Sequence, residues 1–155
     1  MANSFELTIP IVWRHIRDIR RRVGEALRAH DDEVRLAAAM VAAELVENAI
    51  KYGESVPEMP DATLRFEETG SEVRVEVANG LTSPEAARRL DELITRVHRD
   101  PDGAALYVAR LQELLADPDA SGKLGLYRIR YEGGFQLASR YEGQVLTITA
   151  TRGIP

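Results

Sequence analysis

The stretch from Asp31 to Tyr52 constrains the fold most. Val34, Ala38, Val41, Leu45 and Ala49 recur at helical spacing and form one apolar line, while Asp31 and Asp32 can cap the start and Gly53 stops the run. A helix so built belongs against a core. Its last turns read Glu44-Leu45-Val46-Glu47-Asn48-Ala49-Ile50-Lys51-Tyr52-Gly53. At about 3.6 residues per turn, Glu44, Asn48 and Lys51 fall at i, i+4 and i+7 and share a stripe beside the apolar line. That stripe offers an oxygen to a divalent metal, a base to a water or hydroxyl, and a cation to a phosphate.

The segments around this helix alternate between strand and helix patterns. Residues 4–9 alternate apolar and polar as a strand that Pro10 ends, and Val12, Ile16, Ile19, Val23 and Leu27 then mark a helix to about residue 29. Arg14, Arg17, Arg20, Arg21 and Arg22 decorate its other side as a solvated face. Two alternating segments, 62–67 and 72–77, joined by Thr69-Gly70-Ser71, predict an antiparallel hairpin that Asn79-Gly80 ends. Ser83-Pro84-Glu85 opens a helix to about His98, Asp100-Pro101 breaks it, and a second amphipathic helix is expected to about Ala116. Residues 117–125 read as a small-residue loop, 126–131 as a short helix, and 135–141 and 144–151 as two final strands. The expectation is one α+β domain over 1–155, a two-layer sandwich whose mixed, mostly antiparallel sheet carries helices on one face.

The net charge of −5 and pI near 5.3 argue against a nucleic-acid binder, which wants a basic surface. The chain has no cysteine, so disulfides and thiolate metal sites are excluded. No apolar run approaches the roughly 18 residues needed to cross a bilayer and no signal-peptide core opens the chain, so a cytoplasmic protein without membrane contact is expected. There is no Walker A sequence, no zinc spacing and no Ser-His-Asp arrangement. His15, His30 and His98 read as surface residues, and Trp13 with the few other aromatics makes no stacking platform for single strands.

Glu44-x-x-x-Asn48-Ala49-x-Lys51-Tyr52-Gly53 resembles the N box of the GHKL ATPase superfamily, the Bergerat fold of sensor histidine kinases and anti-sigma-factor kinases. The resemblance implies that Asn48 coordinates a magnesium ion bridging ATP phosphates. It implies that Glu44 serves as catalytic base or outer ligand, and that Lys51 and Tyr52 lie near the phosphates and the nucleotide. Ser121-Gly122-Lys123-Leu124-Gly125-Leu126 is similar to the glycine-rich G2 box that closes over the triphosphate. Only Gly125-Leu126 match in register, with Gly122 shifted and Lys123 a substitute cation. Ala78-Asn79-Gly80 stands where the family places an adenine-reading aspartate, so Asn79 takes that place without its charge.

The plan as a whole looks like the SiaB-type and anti-sigma-factor-type regulatory kinases. It implies ATP and Mg²⁺ as cofactors and serine/threonine kinase activity toward a regulatory partner, such as a STAS-domain antagonist that is phosphorylated or sequestered in a bacterial switching pathway. Related switch kinases often dimerise, which extends to a homodimer here. The alternative is a protein-interaction module of the same fold that no longer turns over nucleotide.

Overall fold

Alternating side chains in five segments build one sheet, and the helices between them cover its apolar face. In the computed structural model, residues 3–9, 16–99 and 121–154 are described. The order is β1 (Asn3–Ile9), α1 (Ile16–Ala26), α2 (Asp32–Tyr52), β2 (Ala62–Glu68), β3 (Glu72–Gly80), α3 (Pro84–Arg99), α4 (Ser121–Tyr131), β4 (Gln136–Glu142) and β5 (Val145–Gly153). The strands lie side by side as β1-β2-β3-β5-β4. All four pairings are antiparallel, so the described residues contain none of the parallel pairing that a mixed sheet would include. The α+β sandwich itself is as expected.

Register puts one row of each strand on the helical side. Ile9 faces Ala62, Phe5 faces Phe66, Val75 faces Ala150 and Val77 faces Ile148, and the sheet members of these pairs from β2, β3 and β5 are buried. The opposite row is polar, with Glu6, Arg65 and Glu76 side by side across three strands. Each fully buried side chain of Leu or Phe size contributes about 1.5–3 kcal/mol. The β4–β5 turn is a two-residue connection with positive φ at both Gly143 (57°) and Gln144 (63°), the backbone twist that suits a tight hairpin.

Helix α2 crosses the helical face against β2 and β3, with α1 and α4 packed on its other sides. Burial is therefore wider than the single line read from the sequence. Ala42, Ala43, Val46 and Ile50 are buried along with Val34, Ala38, Val41, Leu45 and Ala49. Asp31 occupies the N-cap but makes no side-chain capping bond.

On α1, Arg17, Arg20 and Arg21 are exposed as expected, and Arg22 is half-buried with its guanidinium 4.9 Å from the centre of the Phe5 ring. His30 is also half-buried rather than surface, 3.4 Å from the buried carboxylate of Glu68. Trp13, Arg14, His15 and the helix expected to about Ala116 lie outside the described residues.

The expected loop 117–125 is corrected in its second half. Residues 121–125 form the first turns of α4, which begins at Ser121 and not near Leu126. Serine and glycine each weaken a helix, glycine by about 1 kcal/mol. Here packing outweighs propensity, because Leu126, Tyr127 and Ile129 bury completely against the core.

Candidate functional site

The end of α2 and the end of β3 are laced together by the segment after Gly53. Glu54 donates its backbone N–H to the Gly80 carbonyl at 2.8 Å. Its carboxylate accepts from the Thr82 backbone N–H at 3.1 Å and from the Thr82 hydroxyl at 2.9 Å. A Cβ on Gly53 would stand 3.0 Å from the Asn79 Cβ, so the missing side chain lets the two segments approach. Leu81 is fixed as well, its N–H donating to the Gln144 carbonyl at 2.8 Å and its carbonyl accepting from the Tyr141 hydroxyl at 2.6 Å.

This lacing forms one side of a cavity of about 490 Å³, within the roughly 300–1,000 Å³ range of small-molecule sites. Asn48 and Tyr52 line it from α2, Asn79 and Leu81 from the end of β3, Leu146 and Ile148 from β5, and Leu126 from α4. Helix α3 closes the remaining side with Ala86, Arg89, Leu90, Glu92, Leu93 and Arg96. The walls are largely apolar and the polar groups few, which is the usual character of a site that orients a small ligand. Asn79 is buried and its amide nitrogen donates to the Gly80 carbonyl at 2.8 Å, which leaves its side-chain oxygen and its second N–H for other partners.

Four residues singled out in the sequence thus meet in one place: Asn48, Tyr52, Asn79 and Leu126. The stripe Glu44–Asn48–Lys51 is divided. Asn48 faces the cavity, whereas Lys51 is exposed at the helix end with its ammonium 5.5 Å from the centre of the Tyr52 ring. Glu44 turns toward α4, where its carboxylate accepts from Arg128 Nη1 at 2.9 Å. Burial holds the Glu44 carboxyl above its ordinary range and the neighbouring Glu47 adds to this, while Arg128 and Arg20 pull part of the rise back.

Gly122 and Lys123 fall in the first turn of α4. Gly125 serves helix packing. A Cβ there would stand 2.8 Å from Glu44 Oε2 and in ordinary contact with Asn48 Nδ2 at 3.8 Å, so a side chain fits only if the Glu44 carboxylate shifts. As the opening turn of α4, residues 121–124 present N–H groups that have no intrahelical acceptor, in place of an extended glycine-rich loop.

Arg89 and Arg96 were not singled out in the sequence. The signal is the 3-4-3 spacing Ala86, Arg89, Leu93, Arg96, a seam parallel to the core line Ala87, Ile94, Val97. Helix α3 is held in place at its far end. The Tyr131 hydroxyl donates to the Val97 carbonyl, the Ser139 hydroxyl to Asp91 Oδ1 at 2.8 Å, and the Leu137 N–H to His98 Nε2 at 2.9 Å. Burial lowers the His98 pKa, as does the neighbouring Arg130.

Among the described residues no group of three or more His, Cys, Asp or Glu is placed to hold a metal ion. A lone carboxamide such as Asn48 suits magnesium only where phosphate oxygens and water supply most of the shell. The polar groups lining the cavity are the carboxamides of Asn48 and Asn79, the Tyr52 phenol, the Arg89 and Arg96 guanidinium groups and the Glu92 carboxylate. Among the described residues no helix is long and apolar enough to cross a membrane. Comparison with protein-family models and with curated proteins finds no match to this sequence.

Proposed function

We propose that this protein binds ATP·Mg in the cavity between α2, α3 and the end of β3, and uses it to regulate a partner protein in a switching pathway by phosphorylating or sequestering it. The observation that carries this reading is the convergence of Asn48, Tyr52, Asn79 and Leu126 on one cavity. They come from three motifs set well apart in the chain, Asn48 and Tyr52 from the first and Asn79 and Leu126 from the other two.

In this reading Asn79 accepts a hydrogen bond from the exocyclic amine of the base through its side-chain oxygen. Leu81, Leu146 and Ile148 pack the ring and exclude water, Tyr52 flanks the open side, and Asn48 presents its amide to the metal. Bound magnesium would neutralise phosphate charge, which is the main need of phosphoryl transfer.

The geometry around Glu44 favours a second reading, in which nucleotide is bound as a regulatory ligand without transfer. The Glu44 carboxylate accepts from Arg128 at 2.9 Å and does not line the cavity, so it is poorly placed to take a proton from a hydroxyl there.

Calorimetric titration with ATP, with and without magnesium, tests the site. Wild-type protein should bind ATP·Mg, and Asn48→Ala should weaken the magnesium-dependent component about tenfold, the loss of one charge-assisted contact of about 1.4 kcal/mol. No heat at millimolar ATP·Mg would remove the nucleotide reading. Phosphate release by Arg128→Ala above that of wild type would favour transfer, with Glu44 released to act. Equal rates would favour the binding-only reading.

A further inference from the structure

The α3 wall of the cavity carries two arginines, Arg89 and Arg96. On α3 the line Ala86, Arg89, Leu93, Arg96 faces the cavity, separate from the buried line Ala87, Ile94, Val97 that fixes the helix to the core. A helix seam beside an apolar cavity is ordinarily apolar, yet both arginines here line the cavity while staying exposed to solvent. Two of its four positions are arginines, two helical turns apart on one stripe. Arg96 makes no ion pair among the described residues. Arg89 holds only Glu85, at 2.9 Å and with both side chains more than half exposed. Such a pair contributes at most about 1 kcal/mol and yields readily to a better acceptor. Glu92 also lines this wall, so with Glu85 on Arg89 the local charges balance, and an anion meets both guanidinium groups only by displacing Glu85.

From this geometry we infer that Arg89 and Arg96 hold the anionic, phosphate-bearing part of the cavity's ligand, from the α3 side of the cavity. The inference rests on the proposed nucleotide site for the identity of the ligand, but it specifies the chemistry independently: a polyphosphate or comparable dianion seated against α3, with the apolar end toward Asn79 and Leu146. Guanidinium groups suit this because their planar donors pair two at a time with phosphate oxygens.

The test compares three probes, ATP·Mg, adenosine and inorganic tripolyphosphate, against wild type, Arg89→Ala/Arg96→Ala and Arg89→Lys/Arg96→Lys. Circular dichroism and thermal melting of each variant confirm folding, and both substitutions lie on exposed side chains. The alanine pair should bind ATP·Mg and tripolyphosphate about 100-fold more weakly, tenfold for each arginine, and bind adenosine as wild type does. The lysine pair should recover part of the loss, because charge returns without the paired donors. Unchanged ATP·Mg affinity in the alanine pair, or an equal loss for ATP and adenosine, overturns the inference while the nucleotide reading stands. Arginine-dependent binding of tripolyphosphate with no binding of adenosine or ATP supports the anion contact and overturns the nucleotide reading. No binding of any probe overturns both.

Discussion

Gly125→Ala discriminates sharply between a glycine that cradles phosphate and a glycine that lets two helices touch. In the interior of a helix the change should by itself stabilise by about 0.5–1 kcal/mol, because alanine loses less backbone freedom on folding. Here the new Cβ would stand 2.8 Å from Glu44 Oε2, against about 3.5 Å for an unstrained contact. The carboxylate has little room to yield, being only 15% exposed and tied to Arg128 at 2.9 Å. Overpacking of this kind costs about 1–3 kcal/mol, so Gly125→Ala should be destabilised by about 1 kcal/mol net.

Removing the obstacle should reverse the sign. In a Glu44→Ala background the same substitution should stabilise by about 0.5–1 kcal/mol, a coupling of about 2 kcal/mol between the two positions. Urea unfolding followed by far-UV circular dichroism measures all four proteins, with equal m values required for the comparison. Additivity within about 0.5 kcal/mol, or stabilisation by Gly125→Ala alone, would refute the close approach of α4 to α2.

Two further expectations concern pH. Glu44 has its folded-state pKa raised by burial, so the folded protein takes up a proton before the unfolded chain does. As pH falls from neutral through that raised value toward 4.5, wild type should gain stability relative to Glu44→Gln, and melting curves whose separation does not change across the window would contradict it. His98 runs the other way. Its lowered pKa keeps the ring neutral and able to accept from the Leu137 N–H, so stability is fully present above 6.5 and declines as pH falls below that value. His98→Gln, whose amide oxygen can also accept, should flatten that limb, and an unchanged acid limb in the variant would show that the ring is not its source.

Much of the fold was legible because its strands and helices carry clean periods. β1, the β2–β3 hairpin and the paired final strands were read from alternation, and α2 from a line of apolar residues with a glycine stop. The order of strands was not, since β3 meets β5 across a gap that local pattern cannot register. Residues 121–125 were misread because glycine and serine signal a loop locally, whereas the burial of Leu126, Tyr127 and Ile129 decides the conformation from a distance. Asn48, singled out by its spacing, lines the cavity. Spacing could not show that Glu44, one turn earlier on the same stripe, would be drawn to an arginine eighty-four residues away. Arg89 and Arg96 escaped notice for a related reason: an arginine on an amphipathic helix looks solvated until the cavity beside it is seen.

The division of α3 into two lines has a consequence for how such a protein can change. Ala87, Ile94 and Val97 anchor the helix, while positions 86, 89, 93 and 96 meet whatever fills the cavity. Leu93 also packs against the core, so it is the exposed positions of the second line, 86, 89 and 96, whose substitution can alter ligand preference at little risk to folding. One helix could in this way be re-lettered for new chemistry, as a lock is re-pinned without a new door.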